Sequence, residues 1–246
     1  MKEWRSPLKH TYEKILDLHE RNWNGIWFRI VRNFFWSAIA GKFDVVVGNP
    51  PWVRWSKLPE LYRERIKPTC DHYGIFSKTK FHGGNELDIS GMITYTVADK
   101  WLKDEDGILA FVITQTHFQS PSSAGFRSFY IGNNQIIQPV GIDDLKALKP
   151  FPDAANKTAI FIAKKCKGNT IKYPIPYAIW EAAKGNKKAI PAHLTKQEAL
   201  DSVDIDKCEA TPVTGGDSPW AITPKGGFKA FKRSLVQALG LTAEKE

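Results

Sequence analysis

The 246-residue chain, 42% hydrophobic and 25% charged, has the make-up of a globular protein with room for one full domain and part of another. No apolar run approaches the roughly 18 residues that cross a bilayer, and the first residues lack a signal-peptide core, so a membrane partner is excluded and a cytoplasmic location expected. Three distant cysteines, Cys70, Cys166 and Cys208, fit neither a disulfide framework nor a paired zinc site. The net charge of +9 suggests a polyanionic partner, and residues 54–80 concentrate it: Arg54, Lys57, Arg63, Arg65, Lys67, Lys78 and Lys80 stand against Glu60, Glu64 and Asp71.

In chain order, Ser6-Pro7 is a helix start, with Leu8, Tyr12, Ile15, Leu16 and His19 following at helical spacing. A second helix carries Ile26, Trp27, Ile30, Val31, Phe34 and Phe35 as an aromatic stripe most simply read as core. Phe43 to Val47 reads as a strand buried on both faces, and Leu58 to Ile66 as a short helix. Pro68 to Asn85, with three glycines and no period, reads as a loop that orders on binding. A helix is predicted over Asp88 to Leu102, strands over Ile108 to Ile113, Ile136 to Ile142 and Thr158 to Ala163, and a further helix near Phe126 to Tyr130. This alternation gives an α/β fold with a largely parallel sheet. From Tyr173 the prolines multiply and 184–188 reads as a linker. A boundary is therefore placed between 1–182 and 183–246, the second part holding helices at Lys196 to Ser202 and Phe228 to Leu239.

The chemistry centres on Asp44 to Trp52, where an apolar strand ends in Gly48-Asn49-Pro50-Pro51-Trp52. Two successive prolines fix φ near −65° and force extended backbone on the residue before each, so the loop is stiff before any ligand arrives. A stiff loop at the carboxyl end of a sheet strand is where open α/β sheets place ligands. The amine on an aromatic ring is a poor nucleophile because its lone pair is delocalised. The side-chain oxygen of Asn49 and the carbonyl of Pro50 can accept its two N–H bonds and turn the lone pair outward, while Trp52 offers a flat face for a base.

Asn49-Pro50-Pro51-Trp52 behind "GKFDVVVG", together with "GILAFVITQTHFQS" and "FRSFYIGNNQIIQPVGIDDLKALKPFPDAANKTAIFIAKK", resembles the adenine-specific DNA methyltransferases of large type II restriction-modification systems, over about residues 7 to 180. The resemblance implies the carboxyl half of a Rossmann-like methyltransferase sheet, mostly parallel with an antiparallel final hairpin and helical flanks. It implies S-adenosylmethionine as cofactor, double-stranded DNA with a flipped adenine as partner, and catalytic roles for Asn49, Pro50, Pro51 and Trp52. Asp44 and Asn49 are expected to touch the cofactor, and Arg54, Trp55, Lys57, Arg63, Arg65, Lys78 and Lys80 to touch DNA. Ile108 to Ile113 and Thr114 to Ser120 help form the target-base pocket in that family, and Phe161 lies near the final hairpin.

The family's glycine-rich cofactor loop is not found before Asp44. The chain is thus expected to be a carboxyl-side fragment of the catalytic domain, joined to the start of a target-recognition region and needing an upstream polypeptide that carries the loop. The alternative is a non-catalytic DNA- or partner-binding remnant, or one half of a split enzyme. Its first strand would then present an unpaired apolar edge. Trp55, Tyr62, Tyr73 and Phe76 fit either a grip on an extruded base or partial core. Asp88 and Asp143-Asp144 are read as caps or turns rather than metal ligands, and His72, His82 and His117 as surface or loop histidines. Ser120 to Ser123 sit in no nucleophile elbow.

Overall fold

The structure, a computed structural model, describes residues 5–21, 26–76, 87–151, 154–191 and 193–238. The chain divides into two compact units, 1–42 and 43–246. The first contains α1 (Arg5–Glu20) and α2 (Ile26–Ile39). Of the stripe read as core on α2, Ile30 and Phe35 are exposed, while the side chains at 26, 27, 31 and 34 lie outside those described; Leu8 and Tyr12 of α1 are exposed as well. Helical periodicity marks a face that wants cover, and cover depends on what packs there.

The second unit holds β1 (Val45–Gly48), α3 (Glu60–His72), α4 (Ile89–Lys100), β2 (Ile108–Thr114), α5 (Thr116–Gln119), β3 (Tyr130–Gly132), β4 (Gln135–Asp144) and β5 (Thr158–Lys167). It continues with β6 (Ile175–Ala182), α6 (Lys196–Asp201), β7 (Val203–Pro212), β8 (Trp220–Pro224) and α7 (Phe228–Ala238). The strands form one sheet in the order β1-β2-β5-β4-β6-β7-β8, with β3 paired to β4. The pairings β1·β2 and β4·β6 are parallel, and β5 and β7 are each antiparallel to both neighbours. Strands β1, β2, β4, β6 and β8 therefore run one way and β3, β5 and β7 the other, the expected α/β sheet in which most strands share a direction, although β5 and β7 return between them so that only β1·β2 and β4·β6 pair in parallel. The carboxyl ends of β1, β2 and β4 consequently lie at one end of the sheet.

β1 departs from the expected doubly buried strand. It is the outermost strand of this sheet, paired with β2 alone, and alternation turns Val45 and Val47 outward, 54% and 74% exposed, while Val46 packs on the core. The sheet also does not break at 182/183. β6 pairs with β7 along eight residues, and Trp220 of β8 stacks on Phe118 with ring centroids 5.1 Å apart. Phe118, Phe126, Phe129, Phe161 and Trp220 form a single buried aromatic cluster. No described helix is long and apolar enough to cross a membrane.

Two further expectations are corrected. The helix over 58–66 starts at Glu60 and runs through Pro68 to His72. Continuing it buries Cys70, Tyr73 and Ile75, which offsets the roughly 3 kcal/mol cost of an interior proline. It ends on Gly74 at φ +62°, with the Ile75 amide donating to the Cys70 carbonyl. In place of a helix near 126–130 there are two short 3-10 turns, Pro121–Ser123 and Gly125–Ser128, and then β3. Gly125 is obligatory there, because a Cβ would lie 2.3 Å from the Gly74 carbonyl oxygen.

Candidate base-binding site

The loop after β1 is fastened on both flanks. The β1·β2 ladder ends with Gly48 opposite Phe111, and a Cβ on Gly48 would sit 3.1 Å from the Phe111 ring, so only glycine allows this approach without displacing it. One residue further along β2, the Val112 carbonyl accepts from the Trp52 indole N–H at 3.0 Å. Asn156 Nδ2 donates to the Trp52 carbonyl at 3.4 Å, and the Phe151 ring meets Trp52 edge-to-face at 5.1 Å. On the other flank the Ile89 amide donates to the Val53 carbonyl and the Trp55 amide to the Leu87 carbonyl. Pro50 is buried beneath the loop, while Asn49 and Pro51 are exposed. Neither the Asn49 side chain nor the Pro50 carbonyl takes a hydrogen bond from the described residues, and of the two residues Asn49 is the exposed one.

The other predicted site residues divide. Arg54, Lys57 and Arg65 are exposed, the Arg54 backbone pairing antiparallel with that of Asp88 in an isolated bridge, and Arg63 is half-buried. Lys78 and Lys80 fall outside the described residues. Trp55 is corrected to core: it is buried edge-to-face against Phe76 at 4.9 Å and has no face left for DNA. Tyr73 is likewise buried, its hydroxyl donating to Asp99 at 2.8 Å, whereas Tyr62 is exposed.

Asp44 is not brought together with Asn49. It precedes β1 at the opposite end of the strand, five extended residues or about 16 Å away, and is paired to Lys103 at 2.5 Å. That hydrogen bond and charge hold its carboxyl below the ordinary range. Among the described residues, then, Asp44 and Asn49 stand at opposite ends of β1, and no strand lies beyond β1 in the sheet.

Beneath the loop lies a buried polar cluster that sequence reasoning missed. Asp88 caps α4 by accepting from the Ser90 amide at 2.8 Å, and burial pushes its pKa up to about 6. His117, expected at the surface, is fully buried with its Nε2 3.0 Å from Ser90 Oγ, and desolvation followed by the nearby Arg127 charge pulls its pKa down to about 3. Among the described residues its Nδ1 has no hydrogen-bond partner, so none of their carboxylates orients the ring as a nucleophile pair would require. Asp143 accepts from the Trp180 indole and Asp144 from the Tyr177 hydroxyl, which ties β4 to β6. Val112, Phe151 and Asn156 carried no local signal; only the folded sheet brings them to Trp52.

The family model described as Eco57I restriction-modification methylase matches residues 2–147. The type II methyltransferase M.HincII of Haemophilus influenzae is 25% identical over 154 residues, 58% of this chain and 26% of that protein. M.PaeR7I of Pseudomonas aeruginosa is 32% identical over 79 residues, 30% of this chain and 14% of that one. The chain thus spans about a quarter or less of these relatives' length. Among solved structures, a nuclease-deletion mutant of the Type ISP restriction-modification enzyme LlaGI, in complex with a DNA substrate mimic, aligns with a TM-score of 0.45 and 18% identity, over 77% of this chain and 19% of that one. The type IIG restriction endonuclease BpuSI aligns with a TM-score of 0.40 and 16% identity, over 70% and 19%.

Proposed function

Because the chain belongs to the Eco57I restriction-modification methylase family, we propose that it supplies the base-binding and amine-orienting part of a cytoplasmic, adenine-specific DNA methyltransferase whose methyl donor is S-adenosylmethionine. The observation that carries this reading is the loop itself. Asn49 Oδ1 and the Pro50 carbonyl take no hydrogen bond from the described residues and sit on a proline-fixed backbone, and the Trp52 indole donates to the Val112 carbonyl.

Those two acceptors take the N–H bonds of the adenine exocyclic amine and draw its lone pair out of the ring. Trp52, with Phe151 against it, receives the flat face of a base turned out of the double helix, worth about 1–3 kcal/mol of stacking. The nitrogen can shed its proton after transfer, so no general base is demanded. Arg54, Lys57 and Arg65, exposed after the loop, are candidate phosphate contacts, and 183–246, although continuous with the sheet, is assigned to the start of target recognition.

A second reading, one half of a split enzyme or a non-catalytic binding remnant, is favoured by the exposed edge of β1, which offers Val45, Val47 and an unpaired row of backbone groups to an upstream polypeptide carrying the donor loop. The experiment is methylation of duplex DNA, RNA and protein acceptors with labelled S-adenosylmethionine by the chain together with its upstream half, for wild type and Asn49→Ala. Labelled adenine in DNA that disappears in Asn49→Ala is expected, and label unchanged by the substitution removes the assignment.

A further inference from the structure

We propose that residues 146–149 and 154–157, which follow β4 and precede β5, form with Lys188 after β6 a phosphate-binding groove for the backbone of duplex DNA beside the target base. This inference rests on the DNA methyltransferase reading and gives its DNA contact a location that the sequence did not single out. Lys146, Lys149, Lys157 and Lys188 line a groove of about 400 Å³ at the carboxyl end of the sheet, and its lining contains no acidic residue among those described. All four lysines are exposed, and none is engaged in an ion pair with a described residue.

The groove is built on a fixed frame. The Asp144 carboxylate accepts from the Lys146 amide at 2.9 Å, the Lys149 amide donates to the Lys188 carbonyl at 2.9 Å, and the Gln115 amide at the end of β2 donates to the Lys157 carbonyl at 2.9 Å. It also adjoins the base site directly. Asn156, one of its lining residues, donates to the Trp52 carbonyl, and Phe151 of the same loop packs on the Trp52 ring. Four ammonium groups without carboxylate partners among the described residues form a local positive field, and a nucleic-acid backbone is the polyanion that must pass close to Trp52 if a base is to reach it.

The test is fluorescence-anisotropy titration of the 246-residue chain with a short DNA duplex across a range of salt, without methyl donor. Wild type is compared with Lys146→Gln/Lys149→Gln/Lys157→Gln/Lys188→Gln and with the corresponding four Lys→Arg changes. The glutamine variant is expected to bind about tenfold or more weakly at 0.1 M salt, its slope of log K against log salt shallower by about 0.9 for each lysine that meets a phosphate, and the arginine variant to keep both. A folded glutamine variant with wild-type affinity and slope overturns the proposal, as does a wild-type chain that does not bind the duplex. The pairs Lys146/Lys157 and Lys149/Lys188 are changed separately should the fourfold variant not fold. An RNA duplex bound as tightly, through the same lysines, overturns the assignment to DNA. The titration contains no methyl donor and so reads the groove alone: lysine-dependent binding here, with no labelled adenine in the separate methylation experiment, sinks the proposed reaction alone, and labelled adenine there with lysine-independent binding here sinks the groove alone.

Discussion

The Trp52 indole donates to the Val112 carbonyl at 3.0 Å just past the last rung of the β1·β2 ladder, so the second strand of the sheet sets the position of the aromatic face. Trp52→Phe keeps an aromatic ring and removes this anchor. It is expected to cost about 1 kcal/mol in binding to a duplex carrying 2-aminopurine at the target position, whereas Trp52→Ala costs about 1–3 kcal/mol and abolishes the fluorescence change of the extruded base. Binding by Trp52→Phe equal to wild type would show that the anchor contributes nothing, and equal losses in the two variants would show that the ring without its anchor contributes nothing.

Asp88 makes a pH-dependent contribution of the opposite sign to a salt-bridged carboxylate. Burial raises its folded pKa to about 6, above the ordinary 3.8. The folded state therefore favours the protonated form, and the stability this gives is complete below pH 3.8 and lost as pH rises through 6. Asp88→Asn keeps an oxygen to accept from the Ser90 amide and carries no charge to bury. Urea unfolding is expected to show the variant about 2–3 kcal/mol more stable than wild type at pH 7.5, with the gain vanishing toward pH 4.

His117 has the opposite dependence in the acid range. Its folded pKa is pulled down to about 3 from 6.5, so the neutral ring contributes stability above pH 6.5 that is lost as pH falls toward 3. His117→Gln, which removes the titrating group, is expected to flatten the urea midpoint between pH 6.5 and 4, even if its packing against Phe126 lowers the midpoint at every pH. A variant profile parallel to wild type would place the acid sensitivity elsewhere.

Trp220 tests whether residues beyond 182 fold with the rest of the sheet. It is buried against Phe118 and Phe129, so Trp220→Ala should remove about 3–5 kcal/mol. Strands β1 to β8 share one sheet, and the loss is expected in the same transition that unfolds β2 and β5, followed by hydrogen exchange of their amides. A separate early transition confined to 203–224 would restore a boundary near 182.

What could be read in advance follows from how local each signal is. β2 and β5 were legible because Ile108 to Thr114 and Thr158 to Ala163 are unbroken runs of strand-forming residues with a buried sheet position to match. β6 and β7 were not, since Pro176 sits inside a strand, opposite Glu209, and β7 spends its middle on exposed charged residues. The β3-β4 hairpin announced itself in Asn133-Asn134, both at positive φ as a two-residue turn requires, but an expected helix over 126–130 masked it. At the site, the stiff proline loop was visible in the sequence. The contrasting fates of Trp52 and Trp55, three residues apart, were not, because burial is decided by Phe76 and Leu87 on one side and by Val112 and Phe151 on the other.

The exposed edge of β1 gives the last prediction. Val47 is 74% exposed on a strand with a single neighbour, so its side chain contributes little to the packing of this chain, while its apolar surface and the free backbone beside it invite pairing with another strand. Val47→Lys is therefore expected to change thermal stability by less than about 0.5 kcal/mol and to reduce concentration-dependent self-association in sedimentation velocity, because an edge lysine resists strand-to-strand contact. Where β1 receives a strand from an upstream polypeptide, the same change must bury a charge in that junction and weaken the complex, measured by titration of the two halves. A loss of stability in the isolated chain would mean that Val47 is already covered, and a full-strength complex would mean that the partner, if one binds, does not use this edge.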